Sequence, residues 1–205
     1  MKAGAGSRHW RSLPVRVLGI LTVVAVAPTC HAHIEEAAAG FASGFFHPVF
    51  GLDHFLAMLS VGIVSAQLGG RRIWTIPAAF LGAMITGGVI GIYGTAWPLA
   101  EAGIALSVVV LGLSIVGASQ HARTLPIFLA TVFFGTLHGH AHGLEIPVAA
   151  DPVFYAAGFV MSTALIHLLG VGIGHILMLR LEWQSLLRYL GSGMAGIGLV
   201  ILMAP

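Results

Sequence analysis

The sequence predicts an all-α, polytopic membrane protein, with six transmembrane helices after a cleavable signal peptide. Three observations carry that expectation. The 205 residues are 58% hydrophobic and only 8% charged, with a mean hydropathy of +0.97, which fits one compact helical membrane domain better than any soluble enzyme. Six apolar runs each come near the ~20 residues that a helix needs to cross hydrocarbon. Eleven histidines accompany them, and most of those outside the leader lie in or beside the apolar runs.

The leader comes first. Lys2, Arg8, Arg11 and Arg16 form a basic region, and Val17 to Ala27 is an apolar run too short to span. Cys30 and Ala32 are small residues suitably placed before a cleavage site, so residues 1–32 read as a signal peptide and the mature chain, 33–205, begins at His33. A retained signal anchor is the alternative. Ala27, Pro28 and Thr29 make a poor lipobox for cleavage before Cys30. Cys30 is the one cysteine and leaves with the leader, so neither a disulfide nor a thiolate ligand is expected in the mature chain.

The spans follow at about Val49 to Leu68, Ile73 to Tyr93, Pro98 to Ala118, Leu125 to Glu145, Val153 to Leu179 and Ser185 to Met203. The breaks GGRR, GTAW, SQHART, IPVAADP and RLEWQ are short, polar or rich in Gly and Pro, so sequential helices are expected as antiparallel neighbours. With the mature amino terminus outside, Arg71, Arg72, Arg123, Arg180 and Arg188 all fall on the cytoplasmic side, while Glu35, Glu36 and Asp151 stay out. The positive-inside rule then places both mature termini in the periplasm of a bacterial inner membrane. No basic run remains to bind nucleic acid. Glycine clusters beginning at Gly82, Gly170 and Gly191 read as close helix packing in lipid.

Two clusters carry the chemistry. HPVFGLDH holds His47, Asp53 and His54, and HGHAHGLE holds His138, His140, His142 and Glu145. Ionisable groups at membrane depth are expensive unless partnered, which makes them functional candidates. The topology brings both clusters to the outer half of the membrane, with Glu101 near the outer start of the third span. Imidazole and carboxylate suit a borderline divalent ion such as nickel, cobalt or zinc; copper(I) would want clustered Cys or Met, and the seven methionines are scattered.

On a regular helix His138, His142 and Glu145 lie within about 60° of one another, with His140 on the opposite side. Gly135, Gly139 and Gly143 weaken that helix, and unwinding would bring His140 round. Pro48 suits a first helical position, with His47 as the flanking residue. His54 then stands ~10 Å further along the axis, too far to share an ion with His47 unless the helix is irregular near Gly51. Asp53 is either a ligand or the group that orients His54. Glu101 is either a ligand or an interfacial residue at a helix start. His167 is either a relay ligand or a satisfied core histidine. His175 reads as core and His121 as solvated, while His33 would offer an amine and an imidazole to a divalent ion.

These residues resemble the HupE/UreJ family of nickel and cobalt permeases, which are encoded beside hydrogenase or urease genes in bacteria. The resemblance runs over nearly the whole chain. It is carried by the leader ending before a histidine, by HPVFGLDHFLAMLSVGIVSAQLGG from His47 to Gly70, by LHGHAHGLE from Leu137 to Glu145, and by GFVMSTALIH ending at His167. It implies metal-handling roles for His47, Asp53, His54, His142 and Glu145, with Glu101 at a carboxylate position of the third span. It further implies a secondary permease, not an enzyme, moving Ni2+ or Co2+ from periplasm to cytoplasm for hydrogenase or urease maturation. The ion is cargo and no prosthetic group is expected; the other partners are membrane lipid and, compatibly, further copies of the chain. No GxxxxGK[ST] phosphate loop is present for a nucleotide motor. An intramembrane zinc hydrolase and a metal-sensing membrane subunit are the competing expectations, since paired histidines with a carboxylate also hold zinc.

Overall fold

The computed structural model describes residues 38–148 and 150–204. Residues 1–32 and His33 lie outside that range. Helices run in the order α1 (Ala38–Phe50), α2 (Leu52–Leu68), α3 (Arg72–Tyr93), α4 (Ala100–Gly117), α5 (Thr124–Leu144), α6 (Pro152–Met178) and α7 (Gln184–Met203), with a short 3-10 turn at Leu181–Trp183. Each of the six expected segments is helical. Four helices, α3, α4, α6 and the Leu181–Met203 segment containing α7, are long and apolar enough to cross a membrane, and the pair α1 and α2 makes a fifth candidate if counted as one broken span. The histidines of α5 lower its hydropathy. Large apolar side chains such as Leu113, Phe133, Leu165 and Val200 are exposed on the outside of the bundle, as a lipid-facing surface requires. The protein is a multi-pass membrane protein.

The first expected span does not begin as a straight helix from Val49. Its start is broken at Gly51, where α1 and α2 meet at 79°. Pro48 therefore sits in the last turn of α1, not at a first helical position. Beyond the break α2 is the central helix, buried almost continuously from Leu56 to Leu68. It ends at Gly69 and Gly70, whose φ of 67° and 59° are left-handed values that glycine adopts without penalty and that reverse the chain into α3.

The most extensive helix contacts join non-sequential partners: α3 with α5, α4 with α7, and α2 with α6. Glycine makes all three possible. A Cβ at Gly139 would collide with the backbone of Met84 and Gly88, one at Gly62 with the carbonyl of His167, and one at Gly112 with the backbone of Gly191 and Ala195. In lipid, close backbone approach replaces the hydrophobic driving force available in water. The matching residues rise together along α2 and α6, and along α3 and α5, so these pairs run parallel, whereas α4 and α7 run antiparallel. Sequential helices alternate in direction, as expected, but are not each other's main neighbours.

The alternation puts the starts of α2, α4 and α6 at one end with the close of α5. Asp53, Glu101, Glu145 and Asp151 gather at this end, and Arg71, Arg72, Arg123, Arg180 and Arg188 at the other. Asp151 caps α6, its Oδ1 accepting from Val153 N at 2.8 Å and Phe154 N at 3.1 Å with Pro152 in the first turn. That cap places Tyr155 in the first turn of α6, on the acidic end of the bundle.

Candidate metal centre

His47 in the last turn of α1, His54 in the first turn of α2, and His138 and His142 in the last two turns of α5 converge at the acidic end. Ring centroids are 4.5 Å apart for His54 and His142, 4.6 Å for His47 and His142, 5.3 Å for His54 and His138, and 6.0 Å for His47 and His54. The last distance is the direct consequence of the break at Gly51. On a continuous helix the two rings would stand ~10 Å apart along the axis. A Cβ at Gly51 would itself crowd the His54 ring.

The hydrogen bonds decide which ring nitrogen is free. Asp53 Oδ1 lies 2.6 Å from His54 Nδ1, and a carboxylate only accepts, so Nδ1–H donates and Nε2 carries the lone pair. His138 Nδ1 lies 2.8 Å from the carbonyl oxygen of Phe134, which likewise only accepts. His54 Nε2 and His138 Nε2 are buried and, among the described residues, have no hydrogen-bond partner. His47 Nδ1 is 3.0 Å from the Tyr155 hydroxyl; the tautomer that donates to the phenol leaves His47 Nε2 bare. Tying off one nitrogen so that the other is presented as a ligand is how metal-binding histidines are commonly held.

Carboxylates complete the cluster. Glu145 Oε2 approaches His142 Nδ1 to 3.4 Å, too poorly aligned for a full hydrogen bond, since both nitrogens of His142 count as unpartnered. Glu145 lies just past α5 and is half exposed; its contact with His142 holds its carboxyl below the usual range. His47, His142 and Glu145 each offer a ligand atom within 4.8 Å of the others. Glu101 is exposed in the first turn of α4, at the same end of the bundle.

Other sequence candidates lie elsewhere. α5 does not unwind: it is helical to Leu144, and Gly135, Gly139 and Gly143 face α3. His140 therefore stays on the far side, Nε2–H donating to Thr95 O at 3.1 Å and the ring stacked on Trp97 at 3.8 Å. Asp53 is turned onto its neighbour, its Oδ1 accepting from both the backbone N and the ring of His54. His167 is buried in mid-α6, away from the cluster, and among the described residues neither ring nitrogen has a partner. It is thus not a satisfied core histidine. His121 and His175 are exposed.

Sequence reasoning missed α1, Tyr155 and Phe159. Phe159 packs against His142 with centroids 4.5 Å apart and against His47 at 5.9 Å, closing the apolar side of the cluster. Tyr155 and Phe159 are one helical turn apart, and that spacing in α6 was the available signal. What it could not disclose was that α1 packs on the same stretch, with Gly44 against Tyr155 and Gly158 against Phe41.

Comparison with known proteins agrees over most of the chain. A model of the HupE / UreJ protein family matches residues 20–201. Protein HupE of Rhizobium leguminosarum bv. viciae is 36% identical over 191 residues, covering 92% of this chain and 97% of that protein. No solved structure matches the chain.

Proposed function

The chain belongs to the HupE/UreJ family, and from that premise we propose that it is a secondary uptake permease for Ni2+, with Co2+ as the alternative cargo. As a member of that family it is a transporter, not an enzyme. The observation that carries the reading is the meeting of His47, His54 and His142 from three helices, their rings 4.5 to 6.0 Å apart. Imidazole nitrogens with flanking carboxylates are the donor set of a borderline divalent ion.

The acidic end faces the periplasm and the arginine-bearing end the cytoplasm, in keeping with the positive-inside rule. All six helices α2 to α7 cross the membrane, after a signal peptide of residues 1–32 has been removed. Glu101 and Glu145 attract the hydrated ion at the mouth. His47, His54, His142 and His138 replace its water stepwise, with Asp53 holding His54 in the ligand-competent tautomer and Tyr155 orienting the His47 ring. An inside-negative potential supplies ~2.3 kcal/mol per charge per 100 mV, and a divalent ion gains twice that, so no nucleotide motor is required. The delivered metal serves hydrogenase or urease maturation.

The test is uptake of radioactive nickel at submicromolar concentration into cells lacking their own importers, with excess cobalt as competitor. Uptake above the empty-vector control, lost in His54→Ala, is expected. No uptake by protein verified in the membrane would overturn the reading.

A further inference from the structure

Phe80 of α3 stands between two buried histidines. Its ring is edge-on to His138, with centroids 5.4 Å apart, and to His167, at 5.2 Å. All three side chains are fully enclosed. On one side, His138 presents a bare Nε2 as the innermost member of the cluster. On the other, His167 has both ring nitrogens without a hydrogen-bond partner among the described residues. Packing alone gives no reason for an imidazole there, since an apolar side chain would fill the space without the desolvation cost of two unpaired polar atoms.

Two further features lie on the inner side of Phe80. His167 borders an open, apolar cleft of about 190 Å³ between α3 and α6, which runs past Leu81 and Pro77 to the exposed Trp74 near the arginine-bearing end. Pro77 lies inside α3, one turn before Phe80. It has no N–H to give to the carbonyl of Ile73, and such positions are where helices bend.

We propose that His167 is an inner binding station for the divalent ion and that Phe80 is the plug separating it from the outer histidine cluster. The proposal rests on the transport reading above and adds a second site to it. With the ring in place an ion on His138 has no route to His167; with the ring turned aside, the two imidazoles flank the vacated space and the ion passes from one to the other.

The test uses Co2+ and the full-length chain in nanodiscs for equilibrium binding and in proteoliposomes for uptake. His167→Ala is expected to bind cobalt at the outer cluster as the wild type does, while its uptake falls roughly tenfold or more, the loss that one ligand's contribution predicts. Phe80→Ala is expected to titrate with an additional equivalent of cobalt, which disappears in the Phe80→Ala/His167→Ala double variant. Wild-type uptake by His167→Ala, or no added equivalent in folded Phe80→Ala, overturns the proposal. Should Phe80→Ala fail to fold, Phe80→Leu takes its place: faster uptake supports the plug and unchanged uptake overturns it. Absence of any cobalt binding by the wild type would overturn the outer site as well, whereas outer binding and uptake that ignore His167 overturn the inner station alone.

Discussion

His54, in the first turn of α2, and His142, in the last turn of α5, hold their rings with centroids 4.5 Å apart. These helices share few direct contacts along their lengths; α5 is positioned chiefly by its glycine face against α3. The proximity of the two rings is therefore built from the ends of elements that are otherwise held by different neighbours.

Removal of either ring should remove transport. His54→Ala and His142→Ala are expected to lower nickel uptake by about 100-fold, the upper range for disturbing a metal site, with protein still in the membrane fraction. The double variant should lose little more, because the residues act as a unit. His140→Ala, altering a ring turned toward Trp97, should retain most uptake. Uptake assays with immunoblots of the membrane fraction check all four.

Asp53→Asn keeps the shape of the side chain but no longer requires His54 to donate from Nδ1. Apparent nickel affinity is expected to fall ~10- to 100-fold, as for loss of a partner that orients a ligand. Equilibrium binding to purified protein measures this, and affinity equal to wild type would remove Asp53 from the assignment.

Tyr155→Phe deletes the hydroxyl 3.0 Å from His47 Nδ1 and leaves the packing of the ring. The half-saturating nickel concentration should rise about tenfold, with the maximal uptake rate little changed. A lower maximal rate at unchanged half-saturation would point instead to a role in the transport step.

Acidification should weaken nickel binding by proton competition, because the imidazoles must be neutral to bind. The loss is expected to grow as the pH is lowered and protons compete for the ring nitrogens. Glu145 is held below its usual range by its contact with His142, so its charge is present above that lowered value and is lost only as the pH falls through it. Glu145→Gln should therefore weaken binding without moving the midpoint of the pH profile to higher pH. A pH series of binding isotherms decides it.

Glycine substitutions provide the structural counterpart. Gly139→Ala would drive a methyl into the backbone of Met84 and should cost about 1–3 kcal/mol or more, as overpacking does. Gly82→Ala, with no neighbouring atom near its Cβ position, should be neutral or stabilise slightly, since alanine is favoured in a helix by up to ~1 kcal/mol. Thermal unfolding in detergent compares the pair.

Much of this was legible in the order of residues. Hydropathy located six helices because burying a backbone in lipid forces internal hydrogen bonding and leaves a continuous apolar signature. Helix periodicity placed His138, His142 and Glu145 on one face and His140 on the other, for α5 remains regular. The alternation of direction then brought the clusters at the start of α2 and the close of α5 to one end.

Tertiary structure decided the remainder. Glycine permits close approach wherever a partner lies, but does not say which helix that partner is, so the pairing of α3 with α5 and α2 with α6 emerged only in three dimensions. The bend at Gly51 lets α1 pack along α6, a contact between segments distant in sequence that hydropathy cannot register. Without it His47 would stand a helical stretch away from His54; with it, Tyr155 and Phe159 become neighbours of His47. The sequence by itself determined which ligand types exist and at which end of the bundle they lie, because those follow from local periodicity and span direction. Which nitrogens converge, and what stands between them, followed from long-range packing alone.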